Sequence, residues 1–219
     1  LADTYARAIQ ASLDHSLSSA YTLATLVHQG KGQVVDFEGA AAEILAQTPG
    51  VSALGLAPQG VVQRVAPLVG NEKLIGFAPF VDARQGKDAR WARDTGKLAL
   101  TGPIKLDQAN AEMVAQLPVY LNDTSGKPVF WGLAYAVIPV PPMLASARLD
   151  QLTDNGLHYE LWRTPTDTGE RQVIAASAAT PLPAPIHQRL TVPNAQWTLS
   201  AAPLAGWTSQ THWLGAGAL

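Results

Sequence analysis

The longest amphipathic segment of the chain lies at its start. Apolar residues recur there at spacings of three and four, the period of one helix face, and neither Pro nor Gly interrupts residues 2–29. This face consists of Tyr5, Ile9, Leu13, Leu17, Ala20, Leu23, Ala24 and Val27. The pattern predicts a helix about 40 Å long. Gly30-Lys-Gly32 ends it, since glycine readily adopts the left-handed cap.

The pattern then changes to short runs that predict strands. A second helix is expected after Asp36, a candidate N-cap, and it stops at Thr48-Pro49-Gly50. A short charged helix is expected at 87–97. The predicted strands are 51–57, 61–66, 98–101, 104–106, 113–121 and 129–138. The run 129–138 is nearly all apolar, which is typical of a central strand.

Proline and tryptophan become frequent after residue 139, which marks a second, smaller unit. A short helix is expected at about 143–152, and the predicted strands are 157–163, 171–176, 187–192 and 196–202. The sequence therefore predicts a mixed α/β (α+β) fold, in which a long N-terminal helix precedes an antiparallel sheet and a smaller β-rich part. The divisions that we expect are 1–35, 36–140, 141–210 and 211–219.

Composition removes several classes of function. The 219 residues carry a formal net charge of -2, which argues against a nucleic-acid binder. There is no cysteine, so disulfides, thiolate nucleophiles and cysteine metal sites are excluded. The apolar stretch 211–219 resembles the start of a membrane helix, or else a tail. We expect the chain to be an ectodomain excised from a longer protein between two membrane spans.

Signatures of catalysis are missing from the sequence. The five histidines lack metal-ligand spacing, and no nucleophile elbow, Walker loop or dinucleotide fingerprint occurs. Asp82, Asp88 and Asp94 each lie beside an arginine, as on a solvated, ion-paired helix face. We expect no catalytic residues, metal or cofactor in this chain.

An ordered series of motifs resembles the CHASE family of extracytoplasmic sensor domains. Its centre is Ala89-Arg-Trp-Ala-Arg-Asp-Thr-Gly-Lys-Leu-Ala-Leu-Thr-Gly-Pro-Ile-Lys-Leu106, where a helix ending in Ala-Arg-acid-Thr-Gly leads to a Thr-Gly-Pro kink. Gln116-Leu-Pro-Val-Tyr120 and Phe130-Trp-Gly-Leu133 follow in the family's order. Further matches lie upstream at 37–58 and downstream at Trp197-Thr-Leu199 and Gly206-Trp207. The resemblance covers about residues 35–210.

The resemblance implies a PAS-like antiparallel sheet framed by the long helix. It also implies a periplasmic sensor in an inner-membrane receptor, whose cytoplasmic output is a histidine kinase, a diguanylate cyclase or phosphodiesterase acting on cyclic di-GMP, or an adenylate cyclase. Residues 1–35 would be a signalling and dimerisation helix, 36–140 the membrane-distal sensor core and 141–210 a membrane-proximal part. The expected partners are an unknown small molecule and a second copy of the chain, paired through the N-terminal helix.

The same resemblance indicates a ligand site on the central strands. Thr101 and Gln116 match positions that line the family's pocket. If Gln116 points inward, Tyr120 does too, because side chains alternate along a strand. Depending on strand phase, further walls are expected from Lys105, Met113, Tyr120, Trp131 and Tyr135, and from Phe80 and Trp91 on the covering loop and helix. Aromatic residues on central strands belong to a core more often than to a pocket.

Two features leave the ligand and the function open. Ala78 stands where one branch of the family has an acidic residue, so an adenine-type ligand read by a carboxylate is in doubt. The Pro- and Trp-rich part also suits a protein-interaction module without a small-molecule pocket. A cavity behind Thr101 and Gln116 favours the sensor, and solid packing there favours the interaction module.

Overall fold

The N-terminal helix has the predicted extent. The computed structural model of the protein describes residues 2–105, 111–165 and 169–207. Helix α1 spans Ala2–Gln29 and buries the predicted apolar face. Helix α2 spans Phe37–Gln47, and the Asp36 side chain accepts a hydrogen bond from the backbone N–H of Gly39 at 3.1 Å, as an N-cap does. None of the described helices is long and apolar enough to cross a membrane.

A six-stranded antiparallel sheet follows α2 and forms the larger layer. Its strands are β1 (Ala53–Pro58), β2 (Arg64–Ala66), β3 (Ala99–Leu100), β4 (Ile104–Lys105), β5 (Ala111–Asn122) and β6 (Pro128–Pro139). The order is β2-β1-β6-β5-β3, with β4 also paired to β5. The interrupted edge strand β3–β4 reflects the predicted Gly102-Pro103 kink. The two long strands β5 and β6 therefore lie at the centre.

A loop and a short helix cover one face of this sheet. The loop runs from β2 to helix α3 (Gly86–Thr95) and contains two single 3₁₀ turns, Glu72–Leu74 and Pro79–Val81. Helix α3 ends at Gly96, whose φ of 70° is the left-handed cap conformation. The smaller of the two core clusters lies under this cover.

The second sheet completes the fold. Helices α4 (Val140–Ser146) and α5 (Asp150–Asp154) replace the single helix expected at 143–152. The four strands are β7 (His158–Pro165), β8 (Gln172–Ala176), β9 (Ile186–Val192) and β10 (Ala195–Ala202), in the order β8-β7-β10-β9. The predicted fold class is confirmed: a long N-terminal helix precedes two antiparallel sheets, the first of them PAS-like.

Helix α1 joins the two sheets. It packs against β5 and β6 of the first sheet and against β9 of the second. One large core cluster extends from Tyr5 of α1 to Leu199 of β10. The proposed division at residue 140 separates the sheets in sequence, but they share this core, so the domain boundaries stay predictions. The expected membrane helix at 211–219 lies outside the described residues.

Candidate functional site

The covered face of the first sheet contains a cavity, which we call the central cavity. Its floor comes from β5 and β6, and its roof from the loop between β2 and α3. About 340 Å³ there is free of protein atoms, open solvent included, but only about 20 Å³ admits the centre of a water molecule, which is room for about one water. It is lined by Val62, Leu74, Phe77, Pro79, Gln85, Val114, Gln116, Leu133, Tyr135 and Val137. The space is therefore a narrow slot.

Cross-strand pairing brings the polar residues of the cavity together. Gln116 of β5 lies directly opposite Tyr135 of β6, and Tyr135 lies directly opposite Gly55 of β1. A Cβ atom at Gly55 would lie 2.1 Å from Cζ of Tyr135. The phenol ring therefore occupies space that only glycine leaves free. This row of three residues fixes where the hydroxyl lies.

Both polar side chains on the floor are buried and incompletely hydrogen-bonded. Gln116 is 1% exposed and Tyr135 is 5% exposed. Among the described residues, Oε1 of Gln116 and the hydroxyl of Tyr135 have no hydrogen-bond partner. Burial raises the pKa of Tyr135 far above its ordinary value of 10.0, so its hydroxyl stays protonated at neutral pH. It can both donate and accept a hydrogen bond.

The other polar atom of Gln116 holds the roof of the cavity. Its Nε2 donates to Oε1 of Gln85 at 2.8 Å. Gln85 is the N-cap residue of α3, and its backbone N–H donates to Oδ1 of Asp82 at 3.0 Å. If the terminal amides of Gln116 and Gln85 are both rotated by 180°, the hydrogen bond between them is kept with donor and acceptor exchanged. The atom of Gln116 without a partner is then its NH₂ nitrogen instead of its oxygen. In either arrangement one amide atom of Gln116 is left over.

A turn before α3 holds Gln85 in place. Burial raises the pKa of the Asp82 carboxyl, but hydrogen bonds from the Arg84 side chain and from the backbone N–H groups of Arg84 and Gln85 outweigh it. The resulting pKa is lower than the ordinary 3.8. The ionised carboxylate therefore organises the entry to α3.

Two more of the nine predicted residues pack next to the cavity. Tyr120 and Phe80 both stack edge-to-face on Phe130, with ring centroids 5.7 and 5.8 Å apart. The Tyr120 hydroxyl donates to the backbone oxygen of Arg93 near the end of α3. Tyr120 is therefore on the predicted face, but it anchors the far end of α3 and does not line the cavity.

Thr101 is buried and has a structural contact. Its Oγ1 accepts a hydrogen bond from the backbone N–H of Val114 at 2.9 Å, and its own N–H donates to the Val114 oxygen at 3.0 Å. The side chain therefore ties the edge strand to β5 where β3 ends. The expectation that Thr101 lines the cavity is not met, although Val114 itself does.

Three other predicted residues are not brought to the cavity, and a fourth cannot be placed by its side chain. Met113 and Trp131 pack with the large core cluster on the α1 face of the sheet. Trp91 is half-buried on α3. Lys105 pairs with Ala111 through its backbone, and its side chain lies outside the description. Met113 lies an odd number of residues from Gln116 on β5, so its side chain lies on the opposite face of the sheet.

The sequence did not identify Gln85, Gly55 or the apolar roof. Gly55 was detectable, since a glycine inside a strand often marks a close approach. The roof residues come from an irregular loop without periodicity, so no pattern indicated them. Among the described residues, no group of His, Asp or Glu could hold a metal ion.

Helix α3 also contacts the second sheet, one turn beyond Gln85. The Asn194 amide, in the turn between β9 and β10, donates to Oδ1 of Asp88 at 2.8 Å and to the Leu100 oxygen at 3.1 Å. Its Oδ1 accepts from the Leu100 N–H at 2.9 Å. The Arg163 guanidinium of β7 lies 3.9 Å from Asp88. The roof of the cavity is thus joined to the second sheet.

Comparison with known proteins gives a family and a fold. The sequence model of a family described as the CHASE domain matches residues 4–174. No curated protein matches the chain. A solved structure described as an extracellular ligand binding receptor from Desulfohalobium retbaense DSM5692 has a TM-score of 0.68 at 12% identity. That match covers 90% of this chain and 38% of the receptor chain.

A second solved structure is similar along almost its whole length. It is described as Methyl-accepting Chemotaxis protein X and has a TM-score of 0.57 at 17% identity. The match covers 91% of this chain and 95% of that chain. At such identities the two structures show a shared fold alone.

Proposed function

The chain belongs to the CHASE domain family, and from that premise we propose that it is the ligand-sensing domain of a transmembrane receptor, with the central cavity as its ligand site. In this role the domain is not itself an enzyme. It binds a small molecule and passes the occupancy of the cavity to the rest of the receptor.

One observation carries this proposal: two buried side chains, Gln116 and Tyr135, each with an unpaired polar atom, line an otherwise apolar slot. Leaving a buried donor or acceptor without a partner costs about 1–3 kcal/mol for each group. Solid cores place apolar side chains at such positions. A ligand that pairs with Gln116 and Tyr135 removes the cost on binding, which turns a destabilising feature into a source of affinity.

We propose a periplasmic location for the domain, in a parent protein held in the inner membrane. The likeness in fold to a protein described as an extracellular ligand binding receptor supports this location. The output on the cytoplasmic side is proposed to be a diguanylate cyclase or phosphodiesterase of cyclic di-GMP, or a histidine kinase. Which of these it is depends on sequence outside this chain.

Helix α1 is the proposed transmission element. It packs on the face of β5 and β6 opposite the cavity and continues to the second sheet. A shift of these strands on ligand binding therefore meets α1 directly. The ligand can bias two arrangements only by its difference in affinity for them, typically about 1–3 kcal/mol.

A homodimer through α1 is part of the same proposal. Tyr21 on the outer side of the helix is 51% exposed, and a second α1 packed there would cover it. We expect sedimentation at high concentration to show a dimer that Tyr21→Glu weakens. A strict monomer at the same concentration contradicts pairing through α1.

A second candidate function is a protein-interaction module. It is favoured by the apolar outer surface of the cavity's roof, where Leu68, Val69 and Val81 are exposed. Under this reading the cavity stays empty, and substitutions on its floor leave partner binding unchanged. Substitutions of Val69 and Val81 would then abolish it.

The deciding experiment is a thermal-shift screen of the domain with amino acids, nucleobases, carboxylates and short peptides. We expect at least one hit whose stabilisation is lost in Tyr135→Phe and in Gln116→Ala. Gln196→Ala, in an exposed position of the second sheet, is the control and keeps the stabilisation. A hit that survives both cavity substitutions disproves the site.

A further inference from the structure

We infer that residues 67–78, the outer part of the cavity's roof, form a lid that opens to admit the ligand and closes over it. We call this segment the roof lid. The inference rests on the proposed function, because it describes how the same site is entered. Three observations carry it: the small size of the closed cavity, the exposure of the roof lid, and the fixed chain on either side of it.

The closed cavity is too small for a ligand of more than a few atoms. It has room for about one water molecule. Gln116 and Tyr135 nevertheless line it, and each carries a buried polar atom that has no hydrogen-bond partner among the described residues. A ligand reaches these side chains only when part of the wall moves.

The roof lid is a thin cover. Of residues 67–78, all of which the structure describes, none is buried. The lid lines the cavity with the side chains of Leu74 and Phe77. Two backbone hydrogen bonds join it to Val62: the Gly76 N–H donates to the Val62 oxygen at 2.8 Å, and the Val62 N–H donates to the Phe77 oxygen at 2.9 Å. A segment with so little burial opens locally at a lower free energy than the whole fold.

The chain on both sides of the roof lid is fixed. Strand β2 ends at Ala66, which pairs with β1. On the other side Pro79 is buried, and the Phe80 ring packs so closely on Gly60 that a Cβ there would lie 2.3 Å from Cε2 of the ring. Within the lid, Gly70 has a φ of 87°, and glycine accepts a large change of backbone angle at little cost. The lid therefore moves as a flap between two fixed ends.

Opening of the roof lid makes room over the floor of the cavity. When Leu74 and Phe77 move outward, the space that they fill becomes available to a ligand. The hydrogen bond between Gln116 and Gln85 lies outside the lid and stays in place. Occupancy then biases the lid by the difference in the ligand's affinity for its open and closed positions.

Thiol labelling can measure the opening, because the chain has no cysteine. Val114→Cys places a single thiol on the floor of the cavity, and Val137→Cys is a second floor reporter on β6. Val119→Cys is the matched control, because Val119 lies on the same strand as Val114 but belongs to the large core cluster. The reagent is dithiodipyridine, an uncharged disulfide, and rates are measured on the folded domain without denaturant.

We expect both floor thiols to be labelled at least about a hundredfold faster than the thiol of Val119→Cys, which reacts only when the sheet unfolds. Equal rates for the floor and control thiols overturn the lid.

Second substitutions separate lid opening from global unfolding. Phe77→Ala removes a roof side chain and should raise the labelling rate of Val114→Cys about tenfold. Val69→Ala, at a lid position that is 85% exposed, is its matched control and should leave the rate unchanged. Asn194→Ala, outside the lid, should accelerate labelling of Val119→Cys alone. If it accelerates Val114→Cys as strongly, the floor thiol reacts through global unfolding, and the lid is overturned.

These rates need no ligand, so failure of the roof lid is distinguishable from failure of the proposed function. The proposed function falls if the screen yields no hit that depends on Tyr135 or Gln116.

Discussion

Gln116 and Tyr135 lie directly opposite each other on the two central strands, and each carries a buried polar atom without a hydrogen-bond partner among the described residues. The two positions are adjacent because β5 and β6 pair in register there. Burial of both atoms in one apolar slot favours a ligand that pairs with them. Four predictions follow from this site and from the contacts around it.

The first prediction concerns the stability of the domain without ligand. Tyr135→Phe removes a buried hydroxyl that has no partner, so it should leave the free energy of unfolding unchanged or raise it by about 1 kcal/mol. Tyr120→Phe is the opposite control, because the Tyr120 hydroxyl donates to the Arg93 oxygen. Its loss should cost about 1 kcal/mol. Denaturant unfolding of both variants measures the difference, and equal destabilisation by the two contradicts the unpaired hydroxyl.

The second prediction concerns the space that Gly55 leaves for the Tyr135 ring. Gly55→Ala places a Cβ 2.1 Å from Cζ of Tyr135, so the ring must move into the slot. We expect a loss of about 1–3 kcal/mol in the free energy of unfolding and loss of the stabilisation by the ligand that the screen identifies. Gly102→Ala is the control, since the nearest atom is the end of the flexible Gln172 side chain at 3.1 Å. Unchanged binding of that ligand by Gly55→Ala would show that the slot does not hold it.

The third prediction concerns the joint between the cavity's roof and the second sheet. Asn194→Ala removes three hydrogen bonds and leaves the buried N–H of Leu100 without its acceptor. The free energy of unfolding should fall by about 2–3 kcal/mol. Asn155→Ala is the control, because that exposed amide donates within one turn, to the Gln151 oxygen. If the two variants lose the same free energy of unfolding, the Asn194 hydrogen bonds do not hold the two sheets together.

The fourth prediction concerns pH. The folded-state pKa of Asp82 lies below the ordinary 3.8, so its ionised form stabilises the fold above that value, and this contribution is lost as pH falls through the folded pKa. Asp82→Asn should therefore lower the melting temperature at pH 7. The difference in melting temperature between the variant and the native protein should narrow below about pH 4. Asp94→Asn, at an exposed carboxylate of α3, should have the melting temperature of the native protein. A difference between Asp82→Asn and the native protein that stays constant with pH contradicts the role of the Asp82 carboxylate.

Much of the fold follows from local pattern. The period of α1, the N-cap Asp36 and the left-handed Gly96 are set by nearby residues, and each element lies within a few residues of its predicted position. Helices α4 and α5 differ from the single predicted helix, since the chain leaves helical geometry at Arg148, which has a φ of 53°. That departure had no clear sequence signal.

The site was less accessible from sequence. Gln116 was predicted from the resemblance to the CHASE family, and Tyr135 was predicted as a wall of the site that depended on strand phase. Met113 and Trp131 were placed in the same site because pattern does not reveal which face of a strand meets the ligand and which meets α1. Gln85 depends on a contact across an irregular loop, 31 positions from Gln116. Contacts of this kind arise from tertiary packing and leave no periodic trace.

The most direct test of the central claim is a crystal structure of the domain with the strongest hit of the screen. The account predicts that the molecule lies in the central cavity, with polar atoms within hydrogen-bonding distance of the Gln116 amide and the Tyr135 hydroxyl. A molecule bound elsewhere, with the cavity unchanged, would contradict it.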